Sequence, residues 1–593
     1  MKRNMIFKNA LVVMAILFVG AMATSCSDWD DHYDATSAVE GSASATLWEN
    51  IASNSNLSQF ADLLRKTGYD EVLKASQTYT VWAPLNDTFD YNTLAQEGSE
   101  KLLKEFVQNH VARNNYAASG VLDEQIYMLN EKVHSFVGTA GSYAINGVTV
   151  AQPNLASSNG VLHTISGKLQ FLANIYESLE ASQFPIDSVS NYFHSFDEKV
   201  LNTYKSVKGS VVNGEITYLD SVFDESNSRF SLYRAFINSE DSNYTMVVPT
   251  NTAWMKAKKA IEPYFNYIPK ITHRENAGAS GSQREIDVEI DDIDYLRDSV
   301  VNLSLFRGLF FNNNLYGNGP LKTLATGQRL QVDSLVTTSF RSTSTVSRQK
   351  LYSDDAAALF EGTTRVNKSN GAIFVTDDSL RVQPWLFWNP LIVAEAEQSA
   401  NIGSVSTGRS SVVSISAGTQ NPEVEGIISG NSYLELSNNM PSNNPVLNMY
   451  LPNLLSTTYV IYAVIAPPTI TNPSAEQKPN AFTAQLFYHR ETGALAAAPF
   501  NFGGAGHVFF TDSSKVDTVC LGEYTFPMCY AFLPDNPAPY VRLTGAVGRR
   551  SAPLTPDESY DRVIRLDCLL AVPKELDDYM KEHPDYVYPK NLY

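Results

Sequence analysis

Cysteine is scarce in this chain of 593 residues, which contains only four: Cys26, Cys520, Cys529 and Cys568. No C-x-x-C or H-E-x-x-H spacing occurs, so a dedicated zinc site is not expected. The three cysteines after Cys26 are an odd number, so at most one internal disulfide can form. Cys520 and Cys529 flank the segment LGEYTFPM, but spacing alone does not decide whether they pair.

Positive charge is also in short supply. The chain has 44 Lys and Arg against 63 Asp and Glu, a formal net charge of -19 at pH 7. A surplus of carboxylates repels phosphate backbones, so nucleic-acid binding is not expected. The sequence lacks a G-x-x-x-x-G-K cradle, a G-x-G-x-x-G after a strand and a G-x-S-x-G elbow. No phosphate-binding loop and no bound cofactor is therefore predicted, apart from a covalent lipid described below.

The length and composition indicate several globular domains. At about 150 residues per domain, the chain has room for three or four. Hydrophobic residues make up 44% and charged residues 18%, which is ordinary for folded proteins. The 31 Tyr and 29 Phe suit either β-sheets or binding surfaces.

The first residues form an export signal. Basic Lys2, Arg3 and Lys8 precede an apolar run, Ala10–Gly20, which is too short to cross a bilayer as a helix. Small residues then lead to Cys26, and the whole resembles a bacterial lipoprotein signal. The resemblance implies that residues 1–25 are removed and that Cys26 is lipidated. A conventional secretory cleavage that leaves Cys26 as a thiol is the alternative.

The segment after Cys26 predicts where the protein is displayed. SDWDDHYD, Ser27–Asp34, is acidic and resembles the tag that sends Bacteroidota lipoproteins to the cell surface. Residues 26–45 are therefore predicted to be a lipidated acidic tether, with acyl chains holding the protein in the outer membrane.

A ten-residue segment occurs twice: TVWAPLNDTF, Thr80–Phe89, and TMVVPTNTAW, Thr245–Trp254. In each, an apolar run predicts a strand, which the proline ends because proline has no ladder donor. Asn86 and Asp87 are expected to cap the following helix, with Phe89 in its first turn. The segment therefore predicts a strand-to-helix corner in each of two modules. The matching positions are Thr80 with Thr245, Pro84 with Pro249, Asn86 with Asn251, and Phe89 with Trp254.

A second element is also repeated. NGVLHTISGKL, Asn159–Leu169, places an Asn-Gly turn before an alternating strand, and it recurs as NGAIFVTDDSL, Asn370–Leu380. His110 ends the amphipathic segment LLKEFVQNHV, and His163 lies inside the first of the two strands. Both histidines are expected to be buried and hydrogen-bonded, not catalytic. The turn positions are Asn159, Gly160, Asn370 and Gly371.

Together these motifs resemble the fasciclin domain family, which carries a T-V-F-A-P-T-N-D-A-F-like box, an H-V-like dipeptide and an N-G-V-I-H-like strand. The first copy, residues 46–172, matches all three, with Trp82 and Leu85 as conservative departures. The second copy, residues 173–385, is looser, because Phe374 replaces the last histidine and no clear His-Val pair appears. The resemblance implies a compact α+β wedge in each copy.

The second copy is longer because of an insertion around residues 264–300. Within it, EIDVEID, Glu285–Asp291, alternates in a way typical of an added strand with one acidic face. A calcium site is the alternative, because four carboxylates fall at spacings like those of an EF-hand loop. The turn glycine of such a loop is replaced by Asp292, which argues against it. The candidate ligands are Asp287, Glu289, Asp291 and Asp298.

The C-terminal third, residues 390–593, has short strand-like runs bounded by turn residues. This pattern predicts a β-sandwich, similar to jelly-roll modules that bind carbohydrate. Trp385 and Trp388 are candidates for a sugar-stacking platform, although their place at a domain junction favours core packing. The predicted fold class is multidomain α+β: two tandem fasciclin-like domains followed by an all-β, jelly-roll-like C-terminal domain.

The expected function is non-catalytic binding or adhesion at the bacterial outer membrane, facing the exterior. The fasciclin resemblance implies a glycan or matrix-protein ligand, and the lipoprotein signal suggests an accessory role beside a SusC/SusD-type nutrient importer. Two alternatives stay open: a glycoside hydrolase or esterase acting through the C-terminal domain, and a purely structural subunit of an outer-membrane assembly. An enzyme would need two converging carboxylates or a Ser–His pair, and no catalytic residue is assigned.

Overall fold

The computed structural model describes residues 44–588, with gaps at 181, 213, 278–281, 313–334, 338–348, 352–357, 379, 382, 417, 439–442, 534–536, 546–559, 562 and 587. The signal 1–25, Cys26 and nearly all of the tether 26–45 lie outside the described residues. Within the described part of the chain, no helix is long and apolar enough to cross a membrane.

The chain divides into two compact units. Unit 1 contains the described residues up to 172 together with 199–225, and unit 2 contains 173–198 and 226 onward. Residues 199–225 fall within the predicted second domain, yet they pack with unit 1. Val207 joins the hydrophobic core of that unit, and the hydroxyl of Tyr69 donates a hydrogen bond to Asp220 (3.2 Å). Below, residues 44–172 are called the first module, and residues 173–198 with 226–385 the second module.

Unit 1 is a seven-stranded sheet with short helices on one side. The helices are α1 (Leu47–Ser53), α2 (Ser58–Thr67), α3 (Tyr69–Val72), α4 (Tyr91–Gln96) and α5 (Ser99–Leu102). The strands of the sheet are β1 (Tyr79–Pro84), β2 (Val111–Arg113), β3 (Leu122–Tyr127), β4 (Val133–Thr139), β5 (Ser142–Ile145), β6 (Val148–Ser157) and β7 (Gly160–Ile165). Four strands follow: β8 (Asp197–Leu201), β9 (Val207–Val212), β10 (Glu215–Asp220) and β11 (Phe223–Asn227), of which β9 and β10 form a hairpin.

The order of strands in this sheet places β1 second from one edge, between β2 and β7. The order is β2-β1-β7-β6-β5-β4-β3, and β1 runs parallel to β7. Successive side chains of a strand point to opposite faces, so β1 contributes to two cores. Tyr79 and Val81 pack with the helices, whereas Trp82 packs in a separate cluster with Phe136.

The second module repeats this arrangement. Its helices are α6 (Glu177–Glu180), α7 (Asp187–His194), α8 (Ser228–Tyr233), α9 (Asn251–Ile261), α10 (Ile293–Phe306) and α11 (Pro384–Phe387). Its strands are β12 (Tyr244–Pro249), β13 (Lys270–Ala277), β14 (Ser282–Glu289), β15 (Phe310–Asn312), β16 (Leu335–Thr337), β17 (Gln349–Leu351), β18 (Thr364–Lys368) and β19 (Gly371–Thr376). The sheet order is β17-β16-β15-β12-β19-β18, with β12 parallel to β19. Most of the predicted acidic strand lies in β14, which pairs with β13.

The C-terminal region consists of two sheets that share one hydrophobic core. Its strands are β20 (Ile392–Glu395), β21 (Ile402–Ser406), β22 (Gly408–Ser414), β23 (Ser432–Asn438), β24 (Val446–Tyr450), β25 (Thr458–Ala466), β26 (Ala481–Phe487), β27 (Phe500–Asn501), β28 (Phe509–Phe510), β29 (Asp517–Thr525), β30 (Tyr540–Gly545) and β31 (Ile564–Pro573), followed by α12 (Lys574–Glu582). One sheet has the order β22-β23-β31-β25-β29 and the other β21-β24-β30-β26-β27. Side chains of both sheets, such as Leu434 and Leu543, meet in the core. The chain is thus multidomain α+β.

Candidate functional site

The first corner begins with a fully buried strand, β1. Thr80 is buried, and its hydroxyl donates to the carbonyl of Asn114 (2.8 Å) and accepts from the amide of Tyr116 (2.9 Å). The strand ends at Pro84, as expected from the missing amide proton. Every polar group of Thr80 is therefore used to hold neighbouring backbone.

The chain after Pro84 departs from the predicted helix cap. Asp87 adopts a left-handed backbone conformation (φ 61°), so no helix can start there. Its amide donates to the side chain of Gln59 (2.9 Å), which donates back to the Asp87 carboxylate (2.9 Å). Helix α4 starts only at Tyr91, with Asp90 as its N-cap. The predicted capping roles of Asn86 and Asp87, and the place of Phe89 inside the helix, are therefore wrong.

In the second corner, a helix follows the strand directly. Thr250 is the N-cap of α9, which begins at Asn251. Trp254 lies in the early part of this helix, and its ring centroid is 4.9 Å from that of Phe306. The first-corner counterpart, Phe89, lies in the turn before α4 and packs 5.5 Å from Phe106. Both aromatic side chains thus pack inward, although only the second is helical.

Asn86 and Asn251 do cap helices, but earlier ones. The Asn86 side-chain oxygen accepts from the amide of Gln59 in α2 (3.0 Å). The Asn251 side-chain oxygen accepts from the amide of Ser188 in α7 (2.8 Å). In both modules the corner asparagine therefore satisfies an amide at the N-terminus of a helix that lies earlier in the sequence than the strand.

The asparagines before β7 and β19 are buried and make matching hydrogen bonds. The oxygen of Asn159 accepts from the amide of Leu47 (2.8 Å), and its nitrogen donates to two carbonyls in 73–75. The oxygen of Asn370 accepts from the amide of Ile175 (2.9 Å), and its nitrogen donates to two carbonyls in 237–239. Each side chain thus joins two other segments of the chain to the start of the parallel strand pair.

The glycines after these asparagines allow a close approach of backbone. The structure places each glycine in the strand, so the two turn residues of the hairpin are Ser-Asn and not Asn-Gly. Gly160 pairs with Tyr79 and Gly371 with Tyr244, at φ of 147° and 140°. A Cβ at either glycine would overlap the carbonyl oxygen of its tyrosine partner.

The histidines of the first module are buried and hydrogen-bonded to backbone. Nε2 of His110 accepts from the amide of Leu169 (2.9 Å), which leaves Nδ1 to donate to a carbonyl. Nδ1 of His163 accepts from the amide of Asn154 (3.2 Å), and its ring stacks 5.6 Å from Trp82. Burial lowers the pKa of His110 to about 3 and that of His163 to about 4. Neutral rings held by backbone partners are structural side chains.

The four candidate calcium ligands do not converge. Asp287 lies on β14, where it forms an ion pair with Lys270 and accepts from the hydroxyl of Thr272 (2.8 Å). Asp298 lies on α10, where it pairs with Lys258. Glu289 ends β14, and Asp291 lies in the loop that follows. Among the described residues, no group of three or more His, Cys, Asp or Glu is arranged to hold a metal ion.

The two candidate sugar-stacking tryptophans lie in a core. Trp385 is 4% exposed and Trp388 8% exposed. The indole nitrogen of Trp385 donates to the hydroxyl of Tyr586 (3.1 Å), and its ring packs 5.0 Å from Tyr579. Both rings belong to the hydrophobic core of unit 2, and the Trp388 ring lies 6.5 Å from that of Tyr264. Core packing is therefore the role that the structure gives them.

Cys520 and Cys529 do not form the disulfide whose formation the sequence left open. Both are free thiols, Cys520 exposed and Cys529 buried. Burial raises the pKa of the Cys529 thiol to about 12, so it is a protonated core group at neutral pH.

An open cleft of about 390 Å³ lies in unit 2. Its lining includes Glu262, Asn266, Arg297 and Ser456. The Asn266 side chain donates to the carbonyl of Pro527 (2.8 Å), and the Ser456 hydroxyl donates to the carbonyl of Pro263 (2.7 Å). Glu262 is the one carboxylate in its lining, and the lining holds no histidine. The cleft therefore assembles neither a carboxylate pair nor a Ser–His pair.

Comparison with known families and proteins bears on the first module. Residues 55–170 match the family model of the fasciclin domain. The chain contains a fasciclin domain. Protein sll1483 of Synechocystis sp. is 28% identical over 127 residues, which cover 20% of this chain and 70% of that protein. The fasciclin domain thus includes the first corner, the buried histidines and the Asn159 hairpin.

Two solved structures show more distant likeness. One is a FAS1 domain pair from the insect cell adhesion molecule Fasciclin I, at 12% identity and a TM-score of 0.19, covering 56% of this chain and 97% of that chain. The other is Paenibacillus xanthan lyase, at 13% identity and a TM-score of 0.18, covering 36% of this chain and 18% of that chain. Both TM-scores are too low for the likeness to bear on fold or function.

Sequence reasoning missed the side chains that join each corner to a preceding helix. Gln59, which pairs with Asp87, carries no local signal, because its partner lies 28 residues away. The role of Asn159 as a buried hydrogen-bonding side chain could not be predicted either, because an Asn-Gly pair is also common in turns. A polar residue repeated at the same place in both modules was the available signal.

Proposed function

We propose that this chain is a non-catalytic lipoprotein of the bacterial outer-membrane surface that binds a glycan or another extracellular ligand. It is held by lipid on Cys26, and residues 26–45 act as its tether. It consists of two tandem fasciclin-like domains and a jelly-roll-like C-terminal domain, and it carries no cofactor. It serves as an accessory subunit of a SusC/SusD-like uptake complex.

The use of the repeated polar side chains carries this proposal. Asn86, Asn251, Asn159 and Asn370 each satisfy backbone amides or carbonyls, in the same way in both modules. Such a repeat is a scaffold that presents surfaces, and adhesion uses scaffolds of this kind. The fasciclin domain in the first module and the lipoprotein-like signal support the same function and place.

The location is tested by protease shaving of intact cells that produce the full chain. The proposal predicts that external protease removes the protein while a periplasmic marker survives. Cys26→Ala is the matched variant: it is expected to abolish labelling by radioactive palmitate and release the chain from the membrane. A chain that stays protected until lysis contradicts surface display.

The binding function is tested by a pull-down from solubilised outer membrane together with a glycan array. Recovery of SusC- or SusD-like proteins supports the accessory role, and retention on glycans supports capture. Release of products from polysaccharides by the purified chain contradicts a non-catalytic function.

A further inference from the structure

The β9–β10 hairpin of unit 1 exposes apolar side chains over most of its length. Val207 and Asp220 pair at its base, and both are buried. Beyond the base, every residue of the two strands is exposed or half-buried. Four of them are apolar side chains with 45–65% of their surface exposed, called here the hairpin surface: Val211, Val212, Ile216 and Leu219.

A strand at the edge of the seven-stranded sheet shows the usual alternative. The exposed positions of β3 include Asp123, Glu124 and Gln125. In the hairpin, by contrast, Val211 and Ile216 stand opposite each other on the two strands. Single exposed apolar side chains are common on proteins, but a group of them on one small element marks a surface that contacts apolar material.

Two side chains of the first module hold the base of the hairpin. The hydroxyl of Tyr69 donates to the carboxylate of Asp220 (3.2 Å), and the guanidinium of Arg113 donates to the carbonyl of Lys205, just before β9. Val207 packs in the hydrophobic core of the unit. Each strand has six residues, a length of about 20 Å. The base is therefore fixed, and the outer part of the hairpin extends beyond it.

The base of the hairpin and the start of the described chain lie at the same end of the sheet. β1 begins at Tyr79, which pairs with Arg113 on one side and with Gly160 on the other. Arg113 holds the hairpin, as described above. The carbonyl of Ala45 accepts from the amide of Ser158, two residues before Gly160 (2.8 Å). The N-terminal tether therefore enters the fold at the end that carries the hairpin.

The tether limits how far this end can be from the lipid. Nineteen residues lead from Cys26 to Ala45, and even a fully extended chain of that length spans only about 65 Å. A lipid on Cys26 thus holds unit 1 close to the membrane, by the end at which the hairpin is attached.

The exposed part of the hairpin carries no net charge. Its strands contain Lys208 and Glu215 besides the buried Asp220, in a chain whose net charge is -19. Anionic lipid therefore repels most of this protein but not the hairpin surface. An apolar, neutral surface fits the interface of a membrane better than it fits a charged partner.

The open edges of the hairpin set the depth at which it can lie. In the described part of the chain, β9 and β10 pair only with each other. Backbone groups on their outer edges would lose their hydrogen bonds in hydrocarbon. In the headgroup region water still reaches these groups, while apolar side chains extend to the boundary of the acyl chains.

We propose that the hairpin surface lies in the headgroup region of the membrane that holds the lipidated Cys26. Val211, Val212 and Ile216 reach the upper part of the acyl chains, and the strand edges keep their water. The anchor and the hairpin are then two contacts with one membrane, which together orient unit 1. This inference rests on the proposed lipid anchor and adds a lipid-binding surface to it.

The test measures, by flotation, how tightly the full chain carrying Cys26→Ala binds to lipid vesicles. This chain has no acyl anchor, so the affinity of the hairpin itself is measured. One set of vesicles is phosphatidylcholine, and in the other a quarter of the lipid is phosphatidylglycerol. Binding to phosphatidylcholine is expected to be at least as tight as binding to the anionic set. Val211→Thr together with Ile216→Thr, which keeps both side chains β-branched, is expected to weaken it by about fivefold or more, because less apolar surface leaves water.

Val121→Thr, at an exposed valine outside the hairpin, is the matched control and is expected to bind as the Cys26→Ala chain does. Equal unfolding midpoints for these chains show that a loss of binding is local. A further variant, Val211→Trp, reports the depth. Its added fluorescence is expected to be quenched more by lipids brominated near the headgroup than by lipids brominated near the chain end. Fluorescence that vesicles leave unchanged overturns the proposal, even where the threonine pair fails to fold.

Two further results contradict the hairpin contact. Vesicle binding that the threonine pair leaves intact excludes the hairpin surface as its cause. An oligomer that the threonine pair dissociates, with vesicle binding unchanged, assigns the surface to a second copy of the chain. Neither result bears on the proposed function, which palmitate labelling and protease shaving of cells that produce the native chain test separately. A chain that takes up no palmitate contradicts the proposed anchor, and the vesicle assay tells that failure apart from a failure of the hairpin contact.

Discussion

The first and second modules use the same asparagines and glycines, yet they differ in the side chain beside the corner strand. In the first module His163 stands opposite Trp82 across the parallel pair, and in the second Phe374 stands opposite Val247. The His163 ring hydrogen-bonds to the backbone at Asn154 and Tyr116. The comparison teaches that backbone junctions are the fixed part of this module, whereas the packing around them varies.

The corners also differ in where the next helix begins. Thr250 caps α9 immediately after β12, while the first corner makes a left-handed turn at Asp87 and delays α4 until Tyr91. A shared Pro-x-Asn sequence therefore sets the end of the strand and the link to a preceding helix. The start of the next helix depends on which residue serves as N-cap.

The largest effect is expected at the paired glycines. Gly160→Ala and Gly371→Ala each drive a Cβ into a tyrosine carbonyl at a positive φ. We expect each to cost at least about 3 kcal/mol in the stability of its own module. Hydrogen exchange of β1 and β12 in the full chain measures the two modules separately. Gly98→Ala, which meets open space at a φ of -61°, is the control. Normal protection in either glycine variant would contradict the close approach.

The asparagine pair comes next. Asn159→Ala leaves one amide and two carbonyls without their partner, and Asn370→Ala does the same in the second module. Buried unsatisfied groups of this kind predict a loss of roughly 3 kcal/mol in each case. Denaturant-dependent exchange of β7 and β19 measures it. If the losses of stability caused by Asn159→Ala and Asn370→Ala differed several-fold, the two asparagines would not be equivalent.

Acid is expected to destabilise the first module more than the second. His110, His134 and His163 have pKa values lowered by burial to about 3, 4 and 4 from an unfolded value of 6.5. The unfolded chain takes up these protons as the pH falls, and the folded chain does not. The stability that the neutral, buried histidines give the fold is therefore complete above pH 6.5 and is lost as pH falls toward 4. Between pH 7 and 5 we expect the free energy of unfolding of the first module to fall by on the order of 1–2 kcal/mol per histidine.

The measurement is the protection of β1 relative to β12 at pH 7 and pH 5, corrected for intrinsic exchange rates. Protection of β1 is expected to fall more steeply. His163→Phe, which copies Phe374, is expected to reduce the pH dependence while lowering stability at pH 7, because Asn154 and Tyr116 lose their partner. Equal pH dependence of the two strands would show that the buried histidines do not set the difference.

The smallest effect is expected from the helix links. Asn86→Ala and Asn251→Ala each remove the hydrogen bond that caps α2 or α7. They also remove the exposed bonds that the Asn86 amide donates to Ser55 and Ser58 and that the Asn251 amide donates to Asp187. We expect each substitution to lower the free energy of unfolding of its module by about 1 kcal/mol.

Exchange at the amides of Gln59 and Ser188 reports the loss directly. Substitution of nearby Thr93 by Ser, which retains its hydroxyl, serves as a near-neutral control; no change at the two amides would contradict the links.

Much of this architecture is readable in the sequence, and the reason for the failures is physical. The alternation of TVWAP and the proline after it predicts β1 correctly, because both signals are local. The Asp87 turn was missed because it depends on Gln59, a contact between distant positions. Sequence alone leaves Trp385 and Trp388 as ligand candidates, because the burial of their rings is a tertiary property.

The most direct test of the central claim, that the repeated corner is a structural joint, is Asp87→Asn in the full chain. The amide keeps an oxygen for the Gln59 hydrogen bond and tolerates the left-handed conformation, while the only titratable side chain of the segment is lost. Recovery of ligands from solubilised outer membrane, measured beside the unfolding midpoint, should match that of the native chain. A normally folded variant that no longer recovers them would show that the corner is a working site.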